Sequence, residues 1–86
     1  MDLRQATLER RAIMREIDLG NIVARNARHL RLYRELIESG KEPPVELTRC
    51  INRDIETAEL ISAKGLDLRD AQQRVADAHR YRRERR

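Results

Sequence analysis

The chain has 86 residues, 40% of them charged, and a formal net charge of +4. Its one cysteine, Cys50, excludes an intrachain disulfide, and no apolar run reaches the roughly 18 residues that a transmembrane helix needs. With no Phe or Trp and only two Tyr, a lone chain of this length forms a small core, so burial against another chain is expected. The N-terminus lacks the apolar segment of a signal peptide, and together with the unpaired cysteine this predicts a cytoplasmic protein.

Residues 3–39 contain no proline, and apolar side chains recur among them every three or four positions, which predicts one long helix. Gly20 interrupts this stripe at a cost of about 1 kcal/mol relative to Ala, but the stripe stays in phase across it. Asn26 lies on the stripe, either as a buried amide that sets the register of paired helices or as an edge residue facing water. The stripe comprises Leu8, Ala12, Leu19, Val23, Ala27, Leu30, Tyr33 and Ile37, broadened by Ile13, Ile17 and Ala24.

Residues 39–44 (Ser-Gly-Lys-Glu-Pro-Pro) end this helix, because glycine suits a helix C-terminus and proline suits the start of the next helix. A second helix is predicted over about 44–64, with Leu47, Ile51, Ile55, Ala58 and Ile61 as its stripe. Gly65 followed by Asp67 predicts a stop and a third helix over about 67–83. The alternative is a continuous second helix, since Ile61, Leu68 and Val75 keep a seven-residue spacing.

The predicted fold is therefore all-α: a long antiparallel helical hairpin, coiled-coil-like and oligomerising, in one domain over 1–78 with a basic tail over 79–86. Folding at the turn pairs residues whose numbers sum to about 85, which puts Ala27 opposite Ala58 and Gly20 opposite Gly65. The stripes exceed what a lone hairpin buries, so they are predicted to form an oligomer or partner interface. Its predicted residues are Leu19, Val23, Leu30, Ile37, Ile51, Ile55 and Ile61.

All of the excess positive charge lies in residues 79–86, which hold five Arg and one Glu, whereas the other 78 residues hold 14 basic and 14 acidic groups. This tail either contacts an acidic protein surface or a nucleic acid, or it complements the helix dipole and aids solubility. A second Arg series over 25–34 is expected to be neutralised by acidic residues of the second helix, and the alternative is an exposed anion-binding patch. The predicted anion-binding residues are Arg69, Arg74, Arg80, Arg82, Arg83, Arg85 and Arg86.

Residues 58–75 resemble a helix-turn-helix unit, with Gly65 at the turn and a small core of Leu60, Leu66, Leu68 and Val75. The resemblance implies that the helix after the turn is a recognition helix, whose Arg69, Gln72, Gln73 and Arg80 would contact bases or phosphates. Ile61 departs from the pattern, which usually has a small residue four positions before the glycine. An ordinary capped turn between two helices is the alternative.

No glycine-rich phosphate loop and no clustered metal ligands occur, and Cys50 has no neighbouring His, so a buried or half-buried structural thiol is predicted. Neither an enzymatic activity nor a cofactor, a membrane or a small-molecule substrate is expected. The sequence predicts an interaction protein that regulates, adapts or inhibits a larger complex, through self-association or a partner with an acidic surface. The alternative is a DNA- or RNA-binding regulator that uses residues 58–75 and the Arg-rich C-terminus.

Overall fold

The computed structural model describes residues 2–84, with side chains through Tyr81. These residues form three α-helices, α1 (Leu3–Glu38), α2 (Val45–Lys64) and α3 (Leu68–Glu84). The all-α class is thereby confirmed, and each predicted helix boundary agrees with the structure to within one residue.

Two glycines with a left-handed backbone separate the helices. Gly40 has a φ of 74°, and the N–H groups of Gly40 and Lys41 donate to the carbonyls of Ile37 and Leu36 at 3.0 and 2.9 Å. Gly65 has a φ of 66° and donates to the carbonyl of Ile61 at 3.1 Å. Because residues with a Cβ rarely adopt this conformation, Gly65 ends α2, and the predicted third helix is a separate element.

The helices pack as an antiparallel hairpin of α1 and α2, with α3 returning along α2. The core is small and comes from all three helices, since Ile22, Ile61 and Ala71 form one buried cluster. Ile51 and Val75 are also buried. Half-buried aliphatic residues surround the cluster: Leu19, Ala58, Leu60, Leu66 and Leu68.

The molecule is elongated because α1 is much longer than the helix it packs against. At 1.5 Å per residue the 36 residues of α1 span about 54 Å and the 20 residues of α2 about 30 Å. The Cα radius of gyration is 16.2 Å, against about 12 Å for a compact domain of this length. Between Leu3 and Met14 every residue except Ala6 is exposed, so the start of α1 projects beyond the hairpin. No helix within residues 2–84 combines the length and apolarity needed to cross a membrane.

The face of α1 that packs on α2 differs from the predicted stripe. Ile22 is 4% exposed, whereas the predicted Val23 is 57% exposed. His29 is likewise more buried than the predicted Leu30. A shift of one residue turns a helical face by about 100°. The inward face contains polar Asn26 and His29, which a search for apolar periodicity excludes.

Candidate interaction surface

A polar pair lies in the seam between α1 and α2. Asp54 is only 8% exposed, and Arg25 donates to both of its carboxylate oxygens, from Nη2 to Oδ1 at 2.7 Å and from Nε to Oδ2 at 3.2 Å. This hydrogen bonding and the charge of Asp54 raise the pKa of the Arg25 guanidinium above its ordinary value. The buried carboxylate is thus matched in charge and in geometry, as a stable seam requires.

Beside this pair lie two buried polar atoms without a hydrogen-bond partner among the described residues, Asn26 Oδ1 and His29 Nδ1. His29 Nδ1 is 3.9 Å from Asp54 Oδ2, which is too long for a hydrogen bond. Asn26 falls between its two predictions, because its oxygen is shielded from solvent while the residue is only half-buried and lines one of the grooves between α1 and α2.

A polar cleft of about 430 Å³ lies where α3 meets the hairpin, lined by Arg25, Asp54, Thr57, Gln72 and Arg80 among others. At its edge His79 Nε2 lies 2.9 Å from Glu56 Oε2, and this pair joins α3 to α2. The Thr57 hydroxyl donates to a carbonyl one turn earlier in its own helix, at 2.7 Å. No group of three or more His, Cys, Asp or Glu side chains in the described part of the chain is placed to bind a metal ion.

The opposite side of the hairpin is apolar and uncovered, and we call it the open face. It consists of two adjoining grooves between α1 and α2, each of about 330 Å³. The exposed fractions of its large side chains are 57% for Val23, 46% for Leu30 and 41% for Ile55. Since α3 packs on the other side, no described residue covers these side chains. The apolar and small side chains that line the open face are Leu19, Ile22, Val23, Ala27 and Leu30 of α1 and Ile55, Ala58, Ser62 and Ala63 of α2. Polar side chains lie among them: Asn26 and Asp54 line one groove, and Glu59 lines both.

The seven residues predicted for an oligomer or partner interface divide into three groups. Ile51 and Ile61 are 6% and 4% exposed, so the chain's own core already uses them. Ile37 is 52% exposed and lies on the same side of α1 as Leu30. The remaining four, Leu19, Val23, Leu30 and Ile55, line the open face.

Cys50 is exposed, so the prediction of a buried or half-buried thiol is wrong. Its neighbour Ile51 takes the core-facing position instead, with an exposed fraction of 6%. Successive residues of a helix point about 100° apart, so only one of the two can face the core fully.

The predicted cationic residues that the structure describes are exposed: Arg69, Arg74 and Arg80 all lie on α3. The side chains of Arg82 and Arg83, and the whole of Arg85 and Arg86, lie outside the described residues. In the Arg series of α1 only the first member behaves as predicted, through the ion pair of Arg25 with Asp54. Within the described chain no ion pair is formed by Arg28, Arg31 or Arg34.

The predicted interface set does not include the exposed apolar side chains at the start of α1, among them Ile13 at 55%, Met14 at 51% and Ile17 at 51% exposure. Their spacing was visible, since Ile13 and Ile17 broaden the stripe of the first helix. What was not visible is that α2 ends before it reaches them.

The chain matches no protein-family model, no curated protein and no solved structure.

Proposed function

We propose that this chain is a non-enzymatic interaction protein that regulates, adapts or inhibits a larger complex through helix–helix association at the open face. The observation that carries the proposal is the continuity of apolar side chains over two adjoining grooves between α1 and α2. Contiguous apolar surface of this kind is characteristic of binding sites, because exposing it to water costs free energy.

The polar groups of the chain support the same proposal. The buried Asp54 is paired with Arg25, and Glu56 lies within hydrogen-bond distance of His79, so these polar groups serve to join helices. Such pairs hold the hairpin and α3 in one arrangement, and a preorganised apolar face loses less entropy on binding than a flexible one.

Photo-crosslinking in cells that express the full chain tests this proposal. A photoreactive amino acid at Val23 lies on the open face, whereas the same group at Arg28, also exposed, lies on another side of α1. We expect a discrete adduct from position 23, none from position 28, and loss of the adduct when Ile55→Asp is added. Failure to form an adduct at position 23, or equal labelling at both positions, would contradict the proposal.

A second candidate function is binding of DNA or RNA by α3. Arg69, Gln73 and Arg80 are spaced four and seven residues apart and are exposed, so they share the side of α3 that faces away from the buried Ala71. The turn at residues 65–67 also has the length typical of a helix-turn-helix unit. Acidic Asp70 and Asp77 lie on the same helix and reduce its positive potential, which is why we rank this function second.

The second candidate predicts binding that weakens steeply with salt. Titrations of the full chain with DNA and RNA at about 50 and 200 mM salt cover the range in which phosphate-dominated affinity falls most. Replacing both Arg69 and Arg80 with Gln should remove about two phosphate contacts. The slope of log affinity against log salt concentration should then become shallower by about two. The matched control replaces Arg28 and Arg31 with Gln. Equal effects of the two double variants, or no binding at low salt, would exclude α3 as the site.

A further inference from the structure

The outward side of α1 carries a second helical row that the hairpin does not use. It runs through residues 13, 16, 20, 23, 27, 30, 34 and 37, with alternating steps of three and four that are typical of a helix–helix seam. Every residue of this row is exposed. Three of its members, Val23, Ala27 and Leu30, line the open face, so the row continues that face along α1.

The row is complementary to itself when it is read in reverse. Two antiparallel copies of α1 can cross at the level of residue 25. Each position of one copy then lies opposite the position of the other copy for which the two residue numbers sum to 50. Glu16 then meets Arg34, and Ile13 meets Ile37. Large side chains meet small ones in the other two pairs, because Leu30 falls opposite Gly20 and Val23 opposite Ala27. The regular spacing alone would align the positions, but the matching of charge and of size comes from the residues themselves.

Gly20 supports this arrangement independently. A glycine inside a helix costs about 1 kcal/mol relative to Ala. Within the chain nothing requires it, since a Cβ at Gly20 would meet no atom within 4 Å. A second helix that approaches closely at this level, with Leu30 set over the glycine, gives a physical reason for the missing side chain.

The exposed area also suits a second copy. The chain exposes 7242 Å², whereas a folded monomer of 10.2 kDa is expected to expose about 5,300 Å². The excess of about 1,900 Å² is more than twice the roughly 800 Å² that each partner contributes to a standard interface. An isologous dimer of two hairpins through their open faces would bury part of this excess, so that the exposed area per chain would approach that of a compact protein.

We propose that the open face is occupied by a second copy of this chain, with the two α1 helices antiparallel about a two-fold axis level with Arg25. This inference rests on the proposed function and names the partner at the same site. Two Glu16–Arg34 pairs then flank the axis, and Ile13 of each copy packs on Ile37 of the other. The dimer is a four-helix arrangement of two hairpins, in which α3 of each copy remains on the outside.

Charge exchange tests both the partner and the register. Glu16 and Arg34 are exposed and make no ion pair within the described chain, so Glu16→Arg and Arg34→Glu should leave the helix content unchanged. Each single variant replaces two attractive pairs by two repulsive ones, and we expect its dimer dissociation constant to rise about tenfold. An equimolar mixture of the two variants should form heterodimers, since both cross pairs are attractive again, and the double variant should regain the wild-type constant. Arg28→Glu, on another side of α1, is the control and should have no effect.

Sedimentation equilibrium on the full chain gives the dissociation constants, and native mass spectrometry identifies the heterodimer. A wild-type chain that stays monomeric up to about 100 µM, far above a micromolar dissociation constant, would overturn the second-copy inference. So would a dimer whose two charge variants, once mixed, show no preference for the heterodimer. The proposed function fails separately, through the absence of a crosslink at position 23 in cells. An adduct there with a mass other than twice 10.2 kDa would retain the function and exclude the second copy.

Discussion

Arg25 and Asp54 are 29 positions apart in sequence, yet the guanidinium of the first donates two hydrogen bonds to the carboxylate of the second. The side chain of Arg25 is 48% exposed and that of Asp54 is 10% exposed. The pair therefore lies at the edge of the seam, with its acidic member inside. This asymmetry determines which substitution harms the fold.

Arg25→Gln should lower the free energy of unfolding by about 2–3 kcal/mol, because it leaves the carboxylate of Asp54 buried without its counterion. Arg28→Gln, which removes an exposed guanidinium without an ion pair, should change it by less than about 0.5 kcal/mol. Urea unfolding of both variants checks the difference. Equal effects would mean that the pair contributes no more than a surface charge.

The contribution of the Arg25–Asp54 pair to the free energy of unfolding should not change between neutral and mildly alkaline pH. Because the pKa of Arg25 is raised above an already high ordinary value, the stabilisation it provides is fully present below that ordinary value. It is lost only as the pH rises through the raised pKa, far above neutrality. Urea unfolding of wild type and Arg25→Gln at pH 7 and 9 should therefore give the same difference at both pH values. A difference that shrinks by pH 9 would contradict this assignment.

Adjacent residues of α1 should respond in opposite ways to truncation. Ile22→Ala removes a side chain that is 4% exposed and packed in the core cluster, so we expect a loss of about 2–4 kcal/mol in unfolding free energy. Val23→Ala removes one that is 57% exposed and should affect association more than folding. Urea unfolding combined with light scattering separates the two effects. The reverse order would place the seam on the predicted stripe after all.

Replacing a glycine with alanine should lower the stability of the fold at one position and raise it at another, according to the backbone conformation of each glycine. Gly65→Ala forces a Cβ into a left-handed backbone with a φ of 66° and should cost about 1–2 kcal/mol. Gly20→Ala, inside α1 with no atom within 4 Å of the new Cβ, should raise the helix stability by about 0.5–1 kcal/mol in dilute protein. Thermal unfolding by circular dichroism checks both values, and a gain at Gly65 would show that the turn tolerates another geometry.

Ile55→Asp should separate folding from association. Ile55 is 41% exposed on the open face, so the charge stays partly hydrated in the monomer but would be buried in a complex. We expect unchanged helix content and a loss of more than about 2 kcal/mol in association free energy. Asn52→Asp, exposed on α2 outside both grooves, makes the same change in charge and serves as the control. Unchanged mass in light scattering for Ile55→Asp would show that the open face is not the interface.

The helix boundaries were predictable because their determinants are local. The chain reverses at Gly40, where a left-handed residue is needed, and prolines at 43 and 44 precede the next helix. The same logic predicted a stop at Gly65, although a continuing seven-residue spacing competed with it. The left-handed φ of Gly65 decided that question.

The site was predictable only in part, because the sequence of α1 presents two apolar faces about 100° apart. Val23, Leu30 and Ile37 form the more continuous one and were therefore assigned to the hairpin and its association together. In the structure Ile22 takes the core position, and the inward face includes Asn26 and His29. A polar residue counts against a face in any apolar pattern, even where that face packs on another helix.

By itself, the sequence determined that this protein is helical, where its helices begin and end apart from the break at Gly65, and that it has more apolar surface than one hairpin can bury. These properties depend on backbone conformation and on neighbours three or four residues away. Only the tertiary structure decided which face of α1 is inside and which remains open. Burial is not directional, so two similar apolar faces compete, and the pairing of Arg25 with Asp54 exists only once α1 and α2 are side by side.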